Sequence, residues 1–211
     1  MKPHHSMIVP LMLGWIAVGG AAAQEKTDKP TQPELPVPKC PVTGNQANLA
    51  VSAPTREGPV FFCKKECITQ FKSDPSKFEV AVKSQRDALA QRPRVQVKCP
   101  VSGDPTDLKI TLEKDGQKVA FCSEDCRKKY EADPSRYASA LANAYTYQTK
   151  CPVMKELINP KSFITLESGE IVYFCCKGCD DKLLADPPKY EPVLREQGYT
   201  FDFSKQKKEG K

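Results

Sequence analysis

Histidine is almost missing from this chain. Of 211 residues only two are histidine, His4 and His5, and they stand with the single tryptophan, Trp15, in the first fifteen positions. Beyond that segment there is no imidazole to ligate a metal or to act as a general base. The sequence also shows no paired carboxylates at catalytic spacing, no nucleophile set beside a base and no glycine-rich phosphate loop, so no enzymatic activity is expected. Long apolar runs are lacking as well. The longest, Met7 to Gly20, is interrupted by Pro10 and falls short of the ~20 residues a spanning helix needs.

That run follows a mildly basic start (Lys2, His4, His5) and precedes Ala21-Ala22-Ala23. This is the layout of a secretory signal peptide over residues 1–23, with an uncleaved anchor as the alternative. The expected location is secreted or periplasmic, with no membrane association once the segment is removed. Residues 24–38 carry Pro30, Pro33, Pro36 and Pro38 among polar residues and read as an extended linker. Residues 204–211 read as a lysine-rich tail. The net charge is +6, with 32 basic and 26 acidic residues. The basic residues are scattered among acids, as in Arg127-Lys128-Lys129-Tyr130-Glu131, which suits solvated helix faces and gives no stripe for nucleic acid.

What is abundant is cysteine, ten residues in all, and nine of them fall into a pattern repeated three times. Lys39-Cys40-Pro41-Val42 leads to Phe62-Cys63 and Cys67. Lys98-Cys99-Pro100-Val101 leads to Phe121-Cys122 and Cys126. Lys150-Cys151-Pro152-Val153 leads to Phe174-Cys175 and Cys179. The spacing is C-x22-C-x3-C twice and C-x23-C-x3-C in the third copy, with Cys176 left over. Each copy closes on Asp-Pro: Asp74-Pro75, Asp133-Pro134 and Asp186-Pro187. Self-similarity of this kind divides the chain into units over 39–92, 98–147 and 150–203. Units of this size make only a marginal core and usually need a staple.

Within each unit the residues predict a β-hairpin followed by a helix and a second short helix. Ile110-Thr111-Leu112 and Lys118 to Phe121 flank Gly116; Phe163 to Leu166 and Ile171 to Phe174 flank Gly169; Leu49 to Ser52 and Pro59 to Phe62 form a weaker version. Ser123, followed by Glu124 and Asp125, predicts a helix cap. Helices are expected to stop at the Asp-Pro pairs, and second helices to cover 76–90 and 135–147. Phe71, Tyr130 and Leu183, with Phe78, Tyr137 and Tyr190, are expected to pin helix to hairpin. Asp74, Asp133 and Asp186 read as helix stops, with metal ligation the minority reading.

An outer cysteine on a loop and two at i and i+4, on one face of a helical turn, would bring three thiols together near a helix N-terminus, where thiolate is favoured. Soft thiolates select zinc, copper(I) and related ions. Structural zinc wants four ligands. Cys176 could complete a four-cysteine set in the third unit, and Met154 could lend a thioether there, although a packed or exposed methionine is the plainer reading. Three sulfurs without a fourth ligand suit copper(I) better. Oxidising surroundings favour disulfides instead, but closed pairing within a three-cysteine unit always leaves one thiol over. Metal binding is therefore favoured over a disulfide scaffold and over thiol redox activity.

The cysteine pattern, the aromatic before the second cysteine and the closing Asp-Pro-x-Lys/Arg-Tyr/Phe resemble the TRASH/YHS family of small metal-binding modules over Lys39 to about Tyr190. The resemblance implies a small α+β fold of three tandem treble-clef-like units. It implies zinc or copper(I) as the bound ion, with Cys40, Cys63, Cys67, Cys99, Cys122, Cys126, Cys151, Cys175 and Cys179 as ligands. It also implies a role in soft- or heavy-metal handling. The first ligand motif is Cys-Pro-Val here, where the family commonly has Cys-Gly-Met. With no transporter or DNA-binding segment in the sequence, binding and passing on the ion is expected rather than transport or transcriptional sensing. The alternative is a metal- or disulfide-stapled scaffold that binds a protein partner.

Overall fold

Period-two burial shapes the first hairpin strand. In β1 (Asn48–Ala53) Leu49, Val51 and Ala53 turn inward, against a fully buried β2 (Val60–Phe62). The computed structural model describes residues 36–114 and 116–204. The signal-peptide reading, nearly all of the proline-rich linker and nearly all of the lysine-rich tail lie outside them. The described chain is small and mixed α+β. After β1 and β2 come α1 (Glu66–Ser73) and α2 (Glu79–Ala90), the short β3 (Val95–Gln96), the hairpin β4 (Asp107–Lys114) and β5 (Gln117–Phe121), then α3 (Glu124–Ala132) and α4 (Ala138–Ala142). The short β6 (Tyr145–Thr146), the hairpin β7 (Asn159–Thr165) and β8 (Ile171–Phe174), and α5 (Cys179–Ala185) and α6 (Pro187–Glu196) complete it. All sheets among the described residues have two antiparallel strands.

The three hairpins share one irregularity. Asn48 pairs with Phe62, yet Phe61 pairs with Ser52; Asp107 pairs with Phe121, yet Ala120 pairs with Thr111; Asn159 pairs with Phe174, yet Tyr173 pairs with Phe163. Four steps along one strand match one step along the other, a large bulge. The residue opening it is an Asx type whose side-chain oxygen accepts from the N–H two residues on, at 3.0 Å in all three cases (Asn48 to Ala50, Asp107 to Lys109, Asn159 to Lys161). Short Asx side chains favour such a local turn over the regular ladder.

Helix boundaries follow local chemistry. The Ser123 hydroxyl accepts from the Cys126 N–H at 3.3 Å and caps α3, as its sequence suggests. Asp74, Asp133 and Asp186 end α1, α3 and α5 with φ near −150° (−155°, −149° and −149°), because the following proline bars the α region. The second helices are shorter than expected. Residues 75–78 and 135–137 are 3-10 turns, and α4 ends at Ala142 instead of running to Tyr147. It ends early because Tyr145 and Thr146 are taken as β6, paired with Gln96 and Val95 of β3.

The first two hairpin–helix elements have small cores of their own, Val60, Phe62 and Phe71 in one and Val119, Phe121 and Tyr130 in the other. Ring centroids lie 5.4 Å apart for Phe62 and Phe71 and 5.3 Å for Phe121 and Tyr130, so these aromatics pin helix to hairpin as expected. The largest core crosses between copies. Ala47, Leu49, Phe61 and Leu89 pack with Val172, Phe174, Leu183, Leu194, Tyr199 and Phe201. Asn48 fixes that crossing by donating to the Thr200 carbonyl (2.6 Å) and accepting from the Thr200 N–H (3.0 Å). The fully buried Tyr199 hydroxyl meets the N–H groups of Tyr147 and Gln148 at 3.0 and 2.9 Å.

One buried glutamine serves each hairpin. Gln96 accepts from the Ala120 N–H (2.8 Å) and donates to the carbonyls of Ala120 (2.7 Å) and Lys98 (3.0 Å). Gln148 does the same for Tyr173 and Lys150, and Gln85 for Phe61 and Lys39. Since an unpaired buried polar group costs about 1–3 kcal/mol, Gln96→Leu is expected to destabilise the fold by roughly 3 kcal/mol. Urea unfolding of both proteins checks this; an unchanged midpoint would contradict it.

Candidate metal centres

Each outer cysteine sits in a tight backbone knuckle. The Cys40 N–H donates to the Asn45 carbonyl (2.7 Å), and the Gly44 N–H returns to the Cys40 carbonyl (2.9 Å). The same pair of bonds recurs at Cys99 with Asp104 and Gly103, and at Cys151 with Glu156 and Lys155. Gly44 and Gly103 take φ of 75° and 83°, where a glycine costs nothing; in the third knuckle Lys155 takes φ 60°, a conformation that side chains other than glycine adopt at some strain. The glutamine bond to the preceding lysine carbonyl anchors each knuckle to its hairpin.

The second and third cysteines come from the junction after the hairpin. Cys63, Cys122 and Cys175 directly follow the last strand residues and precede the helices, so they do not share a helical face with their partners, as the i, i+4 spacing had suggested. A non-helical turn brings the sulfurs together instead. Cys67, Cys126 and Cys179 lie in the first turns of α1, α3 and α5.

The nine sulfurs expected to be ligands form three trios, Cys40/Cys63/Cys67, Cys99/Cys122/Cys126 and Cys151/Cys175/Cys179, with all ligand atoms in each trio within 4.8 Å of one another. The Sγ–Sγ distances between second and third cysteines are 3.7, 3.6 and 3.9 Å. Two thiolates on one tetrahedral zinc, with Zn–S of about 2.3 Å, would stand about 3.8 Å apart. All ten cysteines are free thiols, so the trios are not tied into bridges. In every trio the outer and third cysteines are buried and the second is half-buried. The trios could hold metal ions.

Asp74 and Asp133 lie outside the trios and are engaged elsewhere: each accepts from a serine hydroxyl two residues on, at 2.6 Å from Ser76 and Ser135. They act as helix stops. Met154, half-exposed at 52%, stands at the position that carries Thr43 and Ser102 in the other copies. Those two hydroxyls lie 3.3 Å from Cys63 Sγ and 3.2 Å from Cys122 Sγ. Cys176 is exposed, outside the third trio, but its sulfur is 3.6 Å from Cys175 and 3.5 Å from Cys179.

The environment divides the thiols by role. Burial pushes Cys40 up, but the N–H of Cys63, the Thr43 hydroxyl and the N–H groups of Thr43 and Val42 together bring it down to about 7 from the ordinary 9.0. Burial likewise opposes, and the N–H groups of Cys122, Ser102 and Val101 outweigh, in Cys99, also at about 7. Cys151 is lowered by the same kind of amide cradle. The other thiols pay for that charge. Burial first, then hydrogen bonding and repulsion within the trio, pushes Cys67 to about 12 and Cys175 to about 11, and raises Cys122 and Cys179. The outer cysteine of each trio is therefore the thiol whose charged form the fold favours.

Sequence reasoning missed the glutamines and the two hydroxyls. Gln96 and Gln148 were findable, since Gln-x-Lys-Cys-Pro-Val occurs in both later copies. Gln85 was not, because it reaches the first knuckle from α2. In comparisons with known proteins, no family model, curated protein or solved structure matches this chain.

At pH 6 to 8 an ion that takes Cys67 must displace its proton, and below pH 7 that of Cys40 as well. Metal affinity at this site is expected to rise about tenfold or more per pH unit, steepening toward pH 6, because ligation releases protons. Chelator competition at pH 6, 7 and 8 measures this. A pH-independent affinity would contradict the assignment.

Proposed function

We propose that this protein binds a soft metal ion, copper(I) or zinc, through cysteine thiolates outside the cytoplasm, and buffers the ion or passes it on without catalysing a reaction. The observation that carries the reading is the convergence of three thiols in each of three separate places, within 4.8 Å and unbridged. Sulfur is the donor such ions prefer, and in each trio the amides around the outer cysteine favour its thiolate, the form that binds a metal. Half-burial of Cys63, Cys122 and Cys175 supports exchange, since it leaves one sulfur within reach of an incoming or departing ligand. The cysteine pattern supports membership of the TRASH/YHS type. The apolar N-terminal segment with its small residues supports export. The described helices include none long and apolar enough to cross a membrane.

A structural role for the ion is the second reading. It is favoured by the place of Cys40, Cys67, Cys99, Cys126, Cys151 and Cys179 within the buried cores. If chelation leaves the circular dichroism and the unfolding temperature intact, the ion is cargo; if it unfolds the chain, the ion is structural.

Native mass spectrometry of the reduced protein is expected to show up to one ion per trio. Cys122→Ser combined with Cys126→Ser is expected to remove the ion of the middle trio alone, with the fold checked by circular dichroism. Equal stoichiometry in parent and variant would overturn the assignment.

A further inference from the structure

The three centres are built differently. At the first two, the residue after the second cysteine is Lys64 or Ser123, and the knuckle sets a hydroxyl, Thr43 or Ser102, against the second sulfur. At the third, the hydroxyl position is Met154 and the following residue is Cys176.

The turn around Cys176 is also rebuilt. In the first two copies the residue before the third cysteine, Glu66 or Asp125, is already helical. In the third copy that residue is Gly178 at φ 82°, outside the helix, with its N–H donating to the Asp180 side chain at 3.0 Å. The left-handed glycine lets the chain Cys175-Cys176-Lys177-Gly178-Cys179 fold back tightly. As a result the sulfurs of Cys175, Cys176 and Cys179 form a near-equilateral triangle with edges of 3.6, 3.5 and 3.9 Å. These are the separations expected of thiolates on one tetrahedral ion, about 3.8 Å. The triangle shares its Cys175–Cys179 edge with the buried trio completed by Cys151. Cys176 is not among the sulfurs that all lie within 4.8 Å of one another, so the two triangles are hinged open along their shared edge, with Cys151 on the buried side and Cys176 on the exposed side. Closing that hinge around an ion would complete a tetrahedron.

We propose that the third centre is a four-thiolate site, Cys151, Cys175, Cys176 and Cys179, selective for a tetrahedral dication of the zinc or cadmium type, while the first two remain three-thiolate sites. This rests on the metal-binding reading above and adds a division of labour to it. The third ion sits where the largest core joins the first and third hairpins and is held more tightly. The first two ions keep an open coordination position beside Thr43 and Ser102 and exchange more readily. Each thiol that ligates releases its proton to solvent.

Cys176→Ser tests this cleanly, because the residue is exposed and takes no part in the core. Zinc(II) titration of the reduced protein against a competing chelator is expected to show one ion held at least about tenfold more tightly than the others in the parent. In the variant that distinction is lost. Cobalt(II) at the first equivalent reports the donor set directly: its sulfur-to-metal charge-transfer absorption is expected to fall by about a quarter in Cys176→Ser, as four thiolates become three. Three ions bound with affinities and cobalt spectra that the substitution leaves unchanged would overturn this proposal alone. Failure of either ion to bind anywhere in the parent would overturn it together with the functional reading.

Discussion

The second strand of each hairpin has an outer edge with no third strand beside it, and over its last three residues that strand is buried. Its unpaired N–H and C=O must find partners, and a single glutamine carboxamide supplies both: Gln85 for Phe61, Gln96 for Ala120, Gln148 for Tyr173. The same amide nitrogen reaches the carbonyl of the lysine before the outer cysteine. One side chain thus fixes the distance between the knuckle that carries the first sulfur and the strand that ends at the second. The knuckle's own two arms are joined by an isolated bridge, Lys98 to Pro105 in the middle copy, and the Thr43 and Ser102 hydroxyls add a second tie to the strand ends at Cys63 and Cys122.

Small units of about 50 residues bury too little surface to be secure alone, and here they lean on one another. Leu49 and Phe61 of the first hairpin share a core with Phe174 and Leu183 of the third. The chain after α6 returns to β1, where the Leu49 N–H donates to the Gly198 carbonyl at 2.9 Å. Between the copies, β3 and β6 pair the two linkers that flank the middle hairpin. The repeats visible in the sequence are therefore repeats of local chemistry, while the packing that stabilises them is collective.

That distinction explains what could be read in advance. The hairpins, the Ser123 cap, the Asp-Pro stops and the aromatic pins are set by near neighbours, so the residues announce them. The cysteine trios were legible because fixed spacing within a short repeat leaves few ways to place the sulfurs. What was hidden depends on partners far along the chain. The second helix of the middle copy ends at Ala142 because Tyr145 and Thr146 pair with residues some 50 positions earlier, and helical propensity in a window gives no sign of that. Gln85 does the work of Gln96 and Gln148 from the opposite chain direction, so alignment of the copies conceals it. The i, i+4 geometry was wrong in detail for Cys63, Cys122 and Cys175, yet the sulfurs meet, because a tight turn before a helix brings positions four apart as close as the helix itself would.

The electrostatics of the trios are compatible with a bound cation. The amides of the knuckle pull Cys40 and Cys99 down to about 7, which stabilises one negative charge in each trio. That charge, together with burial, pushes its neighbours up, Cys67 to about 12. A trio packed only for its bulk would gain nothing from donors aimed at one sulfur, and would be as well served by apolar side chains of similar volume. The amide cradle has an effect only if the sulfur carries charge. A bound ion would turn the repulsion among the three sulfurs into shared attraction, bringing down the remaining pKa values as it replaces their protons. The arrangement is thus unfavourable for three thiolates alone and favourable for thiolates around a metal.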